Sequence, residues 1–259
     1  MLNYMRAELY KLFHRKYFWG TIVVFFVLEA LLLSGYVFTN AHGNNIIFSD
    51  AVMEICLMLP VGSYFTLIAG EIGFAGQYKN STLKNEVSFG LPRSRIYLGK
   101  LFAQLMAALI TCFLAVAFYA AACHLLLPSN GDDIQALVKV GKCLLAALPI
   151  WLGMQALVCA CFFLIRSEIG GTALALGLYG GLPLGMKIIG LPMSPRPVGI
   201  WILKIVLWLP SSVLEGLANP ANLAAEPLTY FGTPWLVGGA WFLGSTIVGL
   251  VGFSKKEIN

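Results

Sequence analysis

From Phe18 onward the chain alternates long apolar runs with short polar clusters. Phe18 to Thr39 is a 22-residue run broken by a single charge, Glu29. A helix rises about 1.5 Å per residue, so crossing a ~30 Å hydrocarbon core takes about 20 residues. Five segments meet that length on apolarity: about 18–39, 51–70, 102–127, 143–165 and 169–191. The run 235–253 makes a sixth, slightly short but almost free of polar groups. The stretch 200–217 carries Lys204, Pro210, Ser211, Ser212 and Glu215, and is too interrupted to cross alone. Ahead of the first span, Met5, Leu9, Leu12 and Phe13 recur at i, i+4, i+7 and i+8, one face of a helix. Arg6, Lys11, Arg15 and Lys16 make that segment basic, the pattern of an amphipathic helix in a membrane interface.

Composition excludes a soluble globule. The chain's 259 residues are 59% hydrophobic and 11% charged, where soluble domains carry about 25% charged residues. The mean hydropathy of +0.81 agrees. The formal charge of +5 does not point to nucleic acid, because the basic residues sit in clusters between apolar runs. With six spans and both termini inside, the inner side holds Arg6, Lys11, Arg15, Lys16, Lys79, Lys84, Arg93, Arg95, Lys100, Arg166, Lys255 and Lys256. The outer side and the fifth span hold the other five, Lys139, Lys142, Lys187, Arg196 and Lys204. The positive-inside rule then predicts cytoplasmic N- and C-termini in a multi-pass cell-membrane protein. The first apolar run exceeds the about 7–15 residues of a signal h-region, so it is expected to stay as an anchor. Five of the six cysteines lie in or beside apolar runs, where thiols behave as small hydrophobes, and they are expected to be free.

Six spans of about 21 residues leave little chain for a catalytic domain. No GxxxxGK[ST] phosphate loop occurs, since Lys100 is followed by Leu101. There is no HExxH, His14, His42 and His124 are far apart, and no GxSxG elbow is present. The chain therefore offers no catalytic residue, no metal site and no cofactor of its own.

The polar loop Glu71 to Lys100 carries the most information. Glu71 closes the second span, Gly73 and Gly76 follow, and Ser81-Thr82-Leu83-Lys84 starts a short helix with Glu86 in its first turn. Gly90-Leu91-Pro92 breaks that helix, and Arg93 and Arg95 lead through Lys100 into the third span. Such a helix either lies on anionic headgroups or serves as a rigid handle for a cytosolic partner.

Together with Arg6-Ala7-Glu8-Leu9-Tyr10-Lys11-Leu12 and Phe253-Ser254-Lys255-Lys256-Glu257, this loop resembles the permease subunits of ABC-2-type transporters. The resemblance covers the whole chain as one permease domain, 1–259. It implies an all-α integral membrane fold of six transmembrane helices with a cytoplasmic N-terminal interfacial helix. It also implies a cytoplasmic coupling helix between spans two and three, and a re-entrant segment between spans five and six. Pro192, Pro195, Pro197 and Pro210 suit that last expectation. The coupling helix would dock on a separate ATP-binding subunit, present in two copies and carrying ATP and magnesium. A second copy of this chain, or a related permease, would complete the membrane part. Leu83, Lys84, Glu86, Phe89, Arg93 and Arg95 are the expected coupling residues, with Lys84 and Glu86 presenting charge and Leu83, Val87 and Phe89 an apolar anchor. Arg93 and Arg95 would hold the loop to headgroups or to Glu71.

Ionisable groups at membrane depth are costly and usually functional. Glu29 lies midway along span one and Glu54 near the outer end of span two; with Glu71 they are candidates for an intramembrane pathway enclosed by spans one, two and five, and Glu29 equally for an interspan hydrogen bond. Glu71 and Glu168 are expected to pair with Arg93, Arg95 or Arg166, and Lys187 to snorkel. The glycines at 170–171, 177, 180–181 and 185 give span five small-residue packing surfaces. The resemblance leaves the substrate open among peptides, drugs, polysaccharides and ions. Small size without a large external domain favours an exporter of an amphipathic peptide or drug-like molecule. A self-contained secondary transporter or channel is the competing reading, though it often shows matched broken helices in its two halves, and these halves do not match. A membrane immunity or anchor protein is third.

Overall fold

The computed structural model describes residues 2–74, 77, 82–165, 167–194, 196–219 and 227–255. Among them every regular element is a helix. Five helices are long and apolar enough to cross a membrane, and up to seven if each of two bent pairs is one span. The expectations placed on Gly76, Lys79, Ser81, Arg166, Pro195, Lys256 and Glu257 lie outside the described residues.

A basic first helix, α1 (Leu2–Phe13), turns at His14–Arg15 into α2 (Lys16–Ala41), the first span. The second run is not one straight span. It forms α3 (Phe48–Leu57) and α4 (Leu59–Phe74), bent by 58°. Pro60 supplies the reason, because its ring clashes with the carbonyl four residues back and it has no N–H to donate. A short α5 (Thr82–Ser88) follows, and then α6 (Arg93–Leu126) and α7 (Asp133–Leu164). Both long helices begin about ten residues before the apolar runs at 102 and 143, so each adds polar turns to its apolar run. At 34 residues, α6 is about 51 Å long, some 20 Å more than the core requires.

The fifth span runs as α8 (Glu168–Leu176), a π-turn at Gly177–Gly181 and α9 (Leu182–Gly190). Gly170 and Gly171 do bring this span close to α7, a Cβ at either lying 2.8 Å from Ile165 or Phe162, whereas Gly177, Gly180, Gly181 and Gly185 meet no other described helix. A second bent pair, α10 (Pro197–Val206) and α11 (Pro210–Ala218), turns by 79° before the last span α12 (Pro227–Lys255).

The centre of the bundle is α7, with 72% of its most apolar window buried against 11% for α2. Glycines let α7 and α12 touch backbone to backbone. A Cβ at Gly153 would lie 2.8 Å from the Gly238 carbonyl, and one at Gly238 would strike the Pro149 carbonyl. Close approach through small residues is how membrane helices gain packing energy when lipid is as apolar as their side chains. At the basic end, Phe74 stacks on Phe162 at 5.2 Å, and Phe163 meets Tyr97 at 4.8 Å and Phe253 at 4.6 Å. These rings fasten the ends of α4, α6, α7 and α12 together. All six cysteines are free.

Candidate functional site

The apolar face of α1 packs on α6 as its periodicity predicts, with Leu12 buried in a cluster that includes Ala103 and Ala107 and with Leu9 and Phe13 packed against that cluster. One member of that face is acidic. Glu8 is 5% exposed and receives Lys100 of α6 at 3.0 Å and Lys11 at 2.7 Å. Lys100 is itself only 1% exposed. Glu86 of α5 completes the group, 3.5 Å from Lys11 and 3.6 Å from Lys100, and accepts a 3.0 Å hydrogen bond from the Tyr4 hydroxyl.

Two carboxylates and two ammonium groups thus join α1, α5 and α6. Burial would raise the Glu8 carboxyl, but Lys100's charge and the hydrogen bonds from both lysines outweigh it and hold it below the ordinary carboxylate value. Burial, Glu8 and Glu86 all push the Tyr4 phenol up, which keeps it a donor. Gly99 makes room for this arrangement, since a Cβ there would collide with the Tyr4 ring.

This geometry divides the expected coupling residues into two sets. Lys84 is exposed, and Phe89 at 87% is the most exposed large apolar side chain among the described residues. Leu83 and Glu86 point inward instead, Leu83 at 5% exposure in the core and Glu86 in the charge cluster. Glu86 also falls in the second turn of α5 rather than its first. Thr82 caps nothing forward, its hydroxyl donating back to the Gln77 side chain at 2.7 Å. The loop break is as expected, with Gly90 at φ +82°, a left-handed conformation that disfavours a side chain, and Pro92 capping α6.

Arg93 donates to the carbonyls of Phe253 at 3.0 Å and Ser254 at 2.7 Å. A helix leaves its last carbonyls without donors at the negative end of its dipole, so Arg93 ties the start of α6 to the end of α12. Arg95 is exposed. Glu71 accepts from the Thr172 hydroxyl at 2.8 Å, linking spans two and five. Lys187 pairs with Glu215 of α11.

At membrane depth Glu29 and Glu54 come together. Both line one cavity of about 310 Å³ between α2, the bend of α3 and α4, α6 and α7, so its walls are spans one to four and not span five. Glu54 accepts a hydrogen bond from the Tyr36 hydroxyl. The Glu29 Oε2 is shut off from solvent and has no hydrogen-bond partner. A neighbouring cavity of about 490 Å³ shares Gly62, Phe65, Cys112 and Trp151 with the first.

The role of Glu8 and Lys100 was not read from the sequence, yet a signal existed. Glu8 lies three residues after Met5 and four before Leu12, an acidic position on an apolar face. Its partner is 92 residues away, and no pattern along the chain supplies that.

A bundle of five to seven apolar helices with an ion-paired helical handle at one end is a multi-pass membrane protein. The family model described as "ABC-2 family transporter protein" matches residues 4–179, from α1 to the π-turn of span five. The chain belongs to that family, as a membrane permease component of an ABC transporter whose ATPase is another subunit. No curated protein matches it.

Proposed function

We propose that this chain is the permease of an ATP-driven exporter, and that α5 is the helix through which a separate ATP-binding subunit moves it. The observation that carries the reading is the two-sidedness of α5. Leu83 is buried in the core and Glu86 pairs with Lys11 of α1 and Lys100 of α6, while Lys84 and, just past the helix end, the almost fully exposed Phe89 are open. A handle must be rigid on one side and available on the other. A small docking surface in which few residues dominate suits an apolar anchor beside a charge.

Helix lengths favour six spans. The legs of α3 and α4, about 15 and 24 Å long and turned by 58°, reach about 34 Å end to end, enough to cross. The legs of α10 and α11, turned by 79°, reach only about 22 Å, short of a ~30 Å core. That pair is a re-entrant hairpin. Six spans place α1, α5 and the C-terminal Lys255 on one side, and the basic residues there make it the cytoplasmic side. On that side α1 is the interfacial helix. Two permease units and two ATP-binding subunits, the latter holding ATP and magnesium, complete the assembly in lipid. Its substrate is an amphipathic peptide or drug-like molecule.

The test is recovery of the ATP-binding subunit on tagged permease in native membranes. Phe89→Asp places an unpaired charge in the contact, and loss of both partner recovery and transport is expected at unchanged expression. Leu83→Asp is the poorer probe because Leu83 is core. Full recovery and full transport by Phe89→Asp would remove the coupling assignment.

A further inference from the structure

The cavity between spans one and four has a chemistry of its own. Its wall is aromatic and aliphatic, including Phe25 and Phe65 stacked at 4.1 Å, Tyr119 and Trp151. Into that wall are set two carboxylates, Glu29 and Glu54, and no basic side chain lines it. The cations on the surrounding helices are engaged or face elsewhere. Lys139 and Lys142 of α7 are exposed, His124 of α6 lies 3.8 Å from Asp133, and Lys100 belongs to the cluster with Glu8. Lys16 opens α2 thirteen residues, about 20 Å, before Glu29.

A second, independent observation lies next door. Gln155, 1% exposed, lines the adjoining cavity and donates from Nε2 to Gln104 Oε1 at 3.1 Å. Its own Oε1 has no hydrogen-bond partner, nor has Gln104 Nε2. Buried polar atoms are mostly satisfied, so Glu29 Oε2 and Gln155 Oε1, each open on the lining of one of two adjoining cavities, mark a place where something else supplies the partner.

We propose that these adjoining cavities bind a hydrophobic organic cation, its positive centre against Glu29 and its apolar body along the shared Phe65 and Trp151 toward Gln155. Charge complementarity selects this occupant over others. A lipid acyl chain would leave Glu29 unpaired, and an anion would be repelled by both carboxylates. Aromatic faces attract a cation that has shed its water. Glu54 is already oriented by Tyr36, so Glu29 is the principal counter-charge. This deepens the exporter reading by naming the class of its cargo.

The experiment uses the full chain in nanodiscs without any ATP-binding subunit. Tetraphenylphosphonium binding is measured by equilibrium dialysis against empty nanodiscs, with tetraphenylborate as the anion of the same shape. Saturable binding of the cation alone is expected. Glu29→Gln should weaken it about 30-fold or more, the usual cost of deleting one partner of a desolvated charge pair, and Glu54→Gln should weaken it less. Thermal midpoints establish that both variants are folded. Binding no greater than in empty nanodiscs, equal binding of the borate, or indifference to both substitutions would overturn the proposal. A change in oligomeric mass caused by Glu29→Gln, without cation binding, would also overturn it and assign the cavity to a second copy. Because no ATPase is present, failure here leaves the Phe89 test of coupling untouched, and the reverse also holds.

Discussion

Buried charge is handled in opposite ways at the basic end of the molecule and in the middle of its membrane-spanning part. At the basic end, Lys100 and Glu8 are almost fully enclosed, but each carboxylate of the cluster lies within 3.6 Å of two ammonium groups. The four formal charges cancel. At membrane depth Glu29 has no cation facing it and one oxygen without any partner. Both arrangements cost desolvation, and only the first recovers it within the chain. A closed charge group is architecture, tying α1 and α5 to α6. An open one is a demand on something outside the chain.

The largest effect should come from opening the closed group. Lys100→Met leaves Glu8 and much of Glu86 buried without their central counter-charge, a change that costs about 3–5 kcal/mol when one partner of a buried pair is removed. A steep fall in thermal midpoint and yield, measured by size-exclusion after heating, is expected. Retention of the native midpoint would mean that the cluster is not what holds α1 and α5.

Glu8→Gln should cost less, about 1.5–3 kcal/mol, because Glu86 still faces both lysines. It also carries a pH signature. A carboxyl held below its ordinary value of 4.5 contributes stability that is present above 4.5 and lost as pH falls through the lowered value. Lys11 acts in the opposite sense. Burial lowers its ammonium, but Glu8 and Glu86 raise it above 10.5, so its contribution is present below 10.5 and lost at higher pH. Half-exposed Lys11 is screened by water, so the acid limb dominates. The native chain should destabilise as pH falls below 4.5, and Glu8→Gln should flatten that limb. An unchanged acid limb in the variant would assign it to other carboxylates.

Tyr4→Phe removes one hydrogen bond to Glu86 while keeping the ring against Gly99, and should lower stability by about 1 kcal/mol. The smallest effect belongs to the open site. Glu29→Gln should leave the thermal midpoint unchanged or raise it, since no partner is lost. A fall comparable with that of Lys100→Met would show that Glu29 is paired after all and erase the contrast between the two regions.

The apolar runs at 18–39, 102–127, 143–165, 169–191 and 235–253 each fall in a helical stretch long and apolar enough to cross a membrane, because in lipid every backbone group must be satisfied within the segment. The short helix after the second span, its break at Gly90 and the packed face of α1 were equally local, set by turn chemistry and helical period. Even the family was legible in the polar loop.

What the chain order could not supply was partnership. That Glu86 faces Lys100 and Tyr4 rather than outward, that Arg93 closes α12, and that Glu29 and Glu54 share one cavity are facts about helices far apart in sequence. The second apolar run reads as one straight span along the chain, and only the structure shows it turning by 58° between α3 and α4, both packed on α7. Period and hydropathy act over one helical turn. Electrostatic pairing and cavity shape depend on which faces meet, and the assembled bundle alone determines that.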